Sequence, residues 1–210
     1  MITETDPWVC TMTPIQFRAI PPDVVERVRT QPDCVEELSD GLRAEYGVES
    51  SIDFSGVCTA DDSVRLIGPV VTVRYAPKRV RTNEQRLAHD RIAAALVPGA
   101  IVVVDAHDCD GSVLGGIGAA KLRAGGAAAY VVDGLARDVP EIADAGVVLV
   151  ASNVGIGSGR PTVQAVQIGG EITCRGRYVC SGDVAVMNRY GLVTIPGWID
   201  WDTVLRLIGD

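Results

Sequence analysis

From residue 64 onward, strand-length apolar runs alternate with stretches of helical spacing. Residues 64–75 (VRLIGPVVTVRY) are rich in β-branched positions. Within 83–96, Leu87, Ile92, Ala95 and Leu96 recur at helical spacing, and Pro98-Gly99 ends the segment. Residues 100–105 (AIVVVD) form a continuous apolar run that predicts a strand buried on both faces. A glycine-led helix over 115–124, a strand over 128–132, a short helix over 139–145 and a strand over 147–150 complete the series. Strand, helix, strand at this spacing predicts βαβ units and a parallel sheet, hence an α/β protein.

The flanks read differently. Residues 1–20 hold two prolines and no clear period, and are expected to be an arm preceding a single domain over 21–210. Pro21-Pro22-Asp23 opens a helix, because proline suits the first turn and an early acid complements the dipole. A second helix is expected over 33–46, stopped at Gly47, with 48–63 as a loop. In the last quarter, short strands at 163–168, 171–173, 178–180, 183–187 and 192–195 are punctuated by Gly-Gly, Arg-Gly, Ser-Gly and Tyr-Gly, which predicts an antiparallel meander. A short amphipathic helix over 200–208 closes the chain.

Composition narrows the function classes. The chain has 210 residues, 47% of them apolar and 22% charged, enough for one packed domain. With 27 acidic against 19 basic residues the net charge is −8, which disfavours a nucleic-acid partner. The basic stretch Lys78-Arg79-Val80-Arg81, with Arg74 and Arg86 nearby, reads as a solvated loop face. Six cysteines without CxxC spacing and only two histidines argue for free thiols rather than a zinc site. The first residues lack a basic start with an apolar run, and no apolar run reaches membrane-spanning length, so a cytoplasmic protein without membrane association is expected.

Two segments carry chemistry. Asp105-Ala106-His107-Asp108-Cys109-Asp110-Gly111 follows a strand end, and Gly115-Gly116-Ile117-Gly118 starts a helix. Ligands in open α/β sheets bind beyond the carboxyl ends of strands. A glycine-rich helix start offers unpaired N–H groups and a positive dipole end to an anion such as a carboxylate. It equally allows tight helix–strand packing, and it lacks the full dinucleotide fingerprint and any P-loop lysine. The second segment, Asp133-Gly134-Leu135-Ala136-Arg137-Asp138, also follows a strand. There Arg137 could grip a carboxylate with its planar fork, and Asp138 could either hold a hard divalent cation or cap the helix that follows. Arg160, in the loop Gly157-Ser158-Gly159-Arg160, is a candidate second substrate contact. His89 reads as structural.

In order and spacing, Ile67-Gly68-Pro69-Val70-Val71-Thr72-Val73, then Val97-Pro98-Gly99 before Val102-Val103-Val104-Asp105, then Gly134-x-x-Arg137-Asp138, resemble the RraA-like family. The tail over 168–196 and the early Ser39-Asp40-Gly41-Leu42 are similar to that family as well. The resemblance implies an αββα swivelling-domain fold with a mixed sheet, assembled as a homotrimer or a dimer of trimers with sites between subunits. It implies relation to the 4-hydroxy-4-methyl-2-oxoglutarate aldolases, which also decarboxylate oxaloacetate, and to regulators of ribonuclease E. Carried over by position, Arg137 contacts substrate, Asp138 binds Mg²⁺ or Mn²⁺, and the amides of Gly115, Gly116, Ile117 and Gly118 hold a carboxylate.

The chain departs from the family where the aldolases carry an acid 21 positions before the substrate arginine; that position is Gly116. It also ends before the longer acidic terminal helix of the aldolases, and has Asn188 and Tyr190 where acids are usual. His107, with Asp108 and Asp110, stands where the family is mostly glycine, and is the candidate to replace the acid from across the cleft. The reading that follows is a divalent-metal-dependent lyase cleaving a C–C bond of a small 2-oxo acid through a pyruvate enolate. The alternatives are a repurposed enzyme performing cyclisation, isomerisation or dehydration of a larger substrate, or a non-catalytic regulator of the ribonuclease E type.

Overall fold

The computed structural model describes residues 8–209. Twelve strands and six helices follow in the order β1 (Thr11–Met12), α1 (Pro22–Thr30), α2 (Cys34–Tyr46), β2 (Ser51–Asp53), β3 (Val57–Cys58), β4 (Leu66–Pro77), α3 (His89–Ala94), β5 (Ala100–Asp105), α4 (Gly116–Gly125), β6 (Ala127–Ala136), α5 (Val139–Asp144), β7 (Val148–Val154), β8 (Val163–Ile168), β9 (Glu171–Cys174), β10 (Arg177–Cys180), β11 (Val184–Asn188), β12 (Gly191–Ile195) and α6 (Trp201–Leu207) among the described residues.

The apolar runs of β4, β5, β6 and β7 pair in parallel, in that order, as the βαβ spacing predicts. β4 is long enough to serve two neighbours on one edge. Its first residues pair antiparallel with β11, and its last ones pair antiparallel with β8. The chain of strands β2-β12-β11-β4-β5-β6-β7-β3 is therefore a mixed sheet. The five C-terminal strands are antiparallel to their main partners, but they are shared out. β8 extends along β4, β9 and β10 form a separate hairpin, and β11 with β12 joins β4 and β2.

Three clusters of buried side chains give the layering. Val102, Val104, Tyr130 and Val132 point to one face and meet Ile92, Leu122 and Ile142 of α3, α4 and α5. Ile101, Val103, Ala129 and Val131 point to the opposite face and meet Ile172 and Val179 of the β9–β10 hairpin and Ala185, Met187 and Leu192 of β11 and β12. The outer face of β11 and β12 is covered by Val24, Leu38, Leu42 and Val204 from α1, α2 and α6. Helices, strands, strands, helices is the αββα order. Each of the Val, Leu, Ile and Met side chains among these contributes about 1.5–3 kcal/mol by leaving water.

Residues 8–20, expected as an arm, lie against this body. The Trp8 indole donates to Ala165 O at 2.7 Å, and β1 pairs in parallel with β8. Residues 1–7 of that arm lie outside the described residues. Two other expectations shift. The helix expected over 83–96 is confined to His89–Ala94, because Ala88 takes a left-handed conformation (φ 58°) and Arg86 is buried against Glu84. The loop expected over 48–63 contains β2 and β3, whose few residues are too short to show an alternation. All six cysteines are unpaired, four of them buried.

Candidate functional site

Three loops meet beyond the carboxyl ends of the parallel strands. At the end of β6, pairing with β7 slips in register between Val132 and Leu135, a bulge that redirects the residues after it. The segment before α4 then pairs with this redirected end. Val113 N donates to Leu135 O at 2.9 Å, and Arg137 N donates to Leu114 O at 3.0 Å. On its other side, Ser112 donates to Gly157 O through both its N–H and its hydroxyl, and Gly159 N returns a bond to Ser112 O. Strand-like bonds thus hold 112–115 between 135–138 and 157–160.

The pocket so formed has a volume of about 90 Å³. Its wall includes Gly115, Ile117 and Gly118 at the start of α4, Arg137 and Asp138 after β6, and Arg160 from the third loop. The structure therefore brings together most of the residues singled out in the sequence. Gly116 stands beside the pocket rather than in its lining. A Cβ there would lie 2.7 Å from Cβ of Glu141 on α5, so the missing side chain is where α5 packs.

Glycine is needed twice more for what it admits. A Cβ at 115 would sit 2.7 Å from the Asp138 carboxylate, and one at 118 would sit 2.6 Å from Cε1 of His89. The first turn of α4 holds no acid, which leaves its positive end uncompensated by the helix itself. Arg137 and Asp138 form a loose, half-exposed ion pair at 3.5 Å. Asp138 does occupy the position preceding α5, yet its carboxylate makes no capping bond, and its backbone is left-handed (φ 53°). Non-glycine residues held there carry a cost of about 1–3 kcal/mol and concentrate at functional positions.

Lys121 also lines the pocket, its ammonium 2.8 Å from Asp90. Arg160 is exposed, and its backbone carbonyl accepts from Lys78 Nζ, which also donates to Thr82 O and Glu84 O. Part of the basic stretch thus pins the third loop of the site.

His107 is placed elsewhere. It does not line this pocket; its Nδ1 lies 2.8 Å from Asp105 and its Nε2 3.2 Å from Asp108. The hydrogen bond to Asp105 raises its pKa. Asp105 also accepts from Arg74 at 3.2 Å. The histidine that reaches the pocket is His89, buried at 9% exposure, with Nε2 2.8 Å from Val113 O.

A sequence model described as Aldolase/RraA, of the RraA-like family, matches residues 35–194. The chain belongs to the RraA-like family. Among curated proteins it is similar to a putative 4-hydroxy-4-methyl-2-oxoglutarate aldolase of Halalkalibacterium halodurans. The two are 26% identical over 184 residues, covering 83% of this chain and 77% of the relative. Among solved structures it is similar to RraAS2 of Streptomyces coelicolor, described as an unusual member of the RNase ES inhibitor RraA family. That match has a TM-score of 0.72 and 19% identity, over 92% of each chain. An RNA-processing inhibitor RraA from Thermus thermophilis matches with a TM-score of 0.60 and 20% identity, over 80% of this chain and 94% of that one. These likenesses establish the RraA-like fold.

Within that fold, the wall residues Gln85, Ser112, Lys121 and Ser158 and the histidine His89 were not readable as site residues. Ser112 and Ser158 face each other across an isolated bridge between segments 46 positions apart, which no local pattern announces. No helix among the described residues is long and apolar enough to cross a membrane.

Proposed function

We propose that this RraA-like protein is a lyase that cleaves a C–C bond of a small 2-oxo acid. The observation that carries this reading is the convergence of Arg137, Asp138 and the open helix start at Gly115–Gly118 in one pocket. The amides at the start of α4 and the guanidinium of Arg137 suit the carboxylate and the 2-oxo oxygen. Aldol cleavage and β-decarboxylation both accumulate charge on that oxygen, so a fixed cation aimed there favours the transition state over the ground state. Arg160, across the pocket, suits a second carboxylate.

A divalent cation is compatible with the donors present. No group of three or more His, Cys, Asp or Glu converges among the described residues. The fit is to Mg²⁺ or Mn²⁺ that would be held by the half-exposed carboxylate of Asp138, only loosely paired with Arg137, with water and substrate completing the shell. Such an ion supplies Lewis-acid polarisation of the 2-oxo group. The reading includes assembly as a homotrimer or a dimer of trimers, as for the family.

The test is pyruvate release from oxaloacetate and from 4-hydroxy-4-methyl-2-oxoglutarate, with Mg²⁺ or Mn²⁺ and with EDTA. Saturable, chelator-sensitive release is expected, reduced about a hundredfold or more in Arg137→Ala and in Asp138→Ala. Release no faster than with metal alone would refute the lyase.

A further inference from the structure

His89 is one of two histidines in the chain and the one that lines the pocket. Its Nε2 is 2.8 Å from the carbonyl oxygen of Val113, which can only accept, so Nε2 carries the proton. The neutral ring then has its lone pair on Nδ1. Among the described residues no donor is within hydrogen-bond reach of Nδ1. The ring is nine-tenths buried on the wall of the pocket, and no hydrogen bond among the described residues occupies its Nδ1. Burial lowers the pKa of His89, the nearby Lys121 ammonium adds to that, and the Val113 bond and Asp90 oppose it. The ring is thus kept neutral, with a lone pair on Nδ1.

Gly118 makes this placement possible. A side chain there would meet the imidazole at Cε1 and, at 2.8 Å, at Nδ1. The glycines of the helix start therefore do two jobs. Gly115 admits the Arg137–Asp138 pair, and Gly118 admits the imidazole, so an anion site and a base share one turn of helix.

We infer that His89, through Nδ1, is the catalytic base that takes the hydroxyl proton of a 4-hydroxy-2-oxo acid, so that the pocket is built for aldol cleavage. This rests on the lyase reading above. In the step, the C4 hydroxyl proton passes to Nδ1 and the oxygen's electron pair forms the new carbonyl. The C3–C4 bond breaks, and its electrons pass into the enolate of pyruvate. The imidazolium or water then returns a proton to C3. Substrate is converted to pyruvate and a carbonyl product, with no oxidant or reductant. Decarboxylation of oxaloacetate has no hydroxyl proton to remove, because its leaving carboxylate is already ionised, so it makes no demand on Nδ1.

The contrast supplies the test. His89→Gln keeps an N–H able to reach Val113 O and removes the basic Nδ1. Aldol cleavage of 4-hydroxy-4-methyl-2-oxoglutarate by His89→Gln is expected to fall in kcat by on the order of a hundredfold or more, and by about tenfold or more beyond any fall in oxaloacetate decarboxylation. Equal losses on both substrates would make His89 structural, and an undiminished aldol rate would remove it from the chemistry; either overturns the inference.

A second measurement needs no turnover. In His107→Gln, His89 is the remaining histidine, and its ring nitrogens are read by ¹⁵N NMR. The expected spectrum is the Nε2–H tautomer. Its Nδ1 signal should move on adding 2,4-dihydroxy-4-methylglutarate, which cannot be cleaved, and not on adding 2-hydroxyglutarate, which lacks the C4 hydroxyl. A proton resident on Nδ1, or no differential shift, overturns the role of His89 even if wild type releases no pyruvate. Wild type inactive on both substrates, with the Nδ1 shift present, refutes the lyase and leaves His89 as the hydroxyl acceptor.

Discussion

His89 and His107 have opposite surroundings, and the difference has a measurable sign. Burial lowers the pKa of His89, so between its folded value and its unfolded value of about 6.5 the unfolded chain binds more protons. Its contribution to stability is complete above about pH 6.5 and is lost as pH falls towards the folded value. His107 is raised by Asp105, so its contribution is present at low pH and fades as pH rises through its folded value; being more than half exposed, it contributes little. In the His107→Gln background, the urea midpoint should therefore fall from about pH 7 to about pH 5, and the fall should shrink when His89→Gln is added. Parallel curves for the two proteins would place the acid sensitivity on other groups. The same contrast shows what was legible at this scale. Arg137 and Asp138 are adjacent in sequence and follow a strand end, so chemistry and position are read together. His89 reads as structural in the sequence, because its bond to Val113, 24 positions away, and its fit against Gly118 are tertiary contacts that no local pattern announces. His107 is the sequence's candidate to replace the acid missing at Gly116, and the structure pairs it with Asp105 and Asp108 away from the pocket lining.

At the scale of elements, the parallel strands β4 to β7 and helices α2, α4 and α6 were readable because runs of one period are bounded by glycine or proline. Where a tertiary contact overrode the local period, the reading failed. The left-handed Ala88 and the buried Arg86 truncate α3, and residues 78–88 instead cross towards the site. Lys78 closes that crossing, with Nζ 2.8 Å from Glu84 O and 2.5 Å from Arg160 O. A basic stretch read as a solvated face thus contains one residue that ties two loops together. Lys78→Met should cost about 1 kcal/mol in urea denaturation, because charged hydrogen bonds are lost while their carbonyls regain water. It should also raise KM for a dicarboxylate substrate more than it lowers kcat, because Arg160 is less well placed. An unchanged KM would mean that Arg160 does not contact substrate.

At the scale of the molecule, the site is open along one edge. Ile117 at the start of α4 is 79% exposed, and Ile156, in the loop that carries Ser158 and Arg160, is 98% exposed. In the proposed assembly another copy of the chain would cover them and close a pocket of about 90 Å³ that Asp138 alone lines with a carboxylate. Light scattering should then give the mass of three or six chains. Ile156→Asp places a charge that must be desolvated on contact, so it should shift the population towards smaller species without altering far-ultraviolet circular dichroism. If the neighbouring copy forms part of the pocket, pyruvate release by Ile156→Asp should recover as protein concentration rises and the oligomer reforms. A wild-type protein that stays monomeric at micromolar concentration would refute the assembly. A dissociated Ile156→Asp with full activity would show instead that one chain holds the complete site.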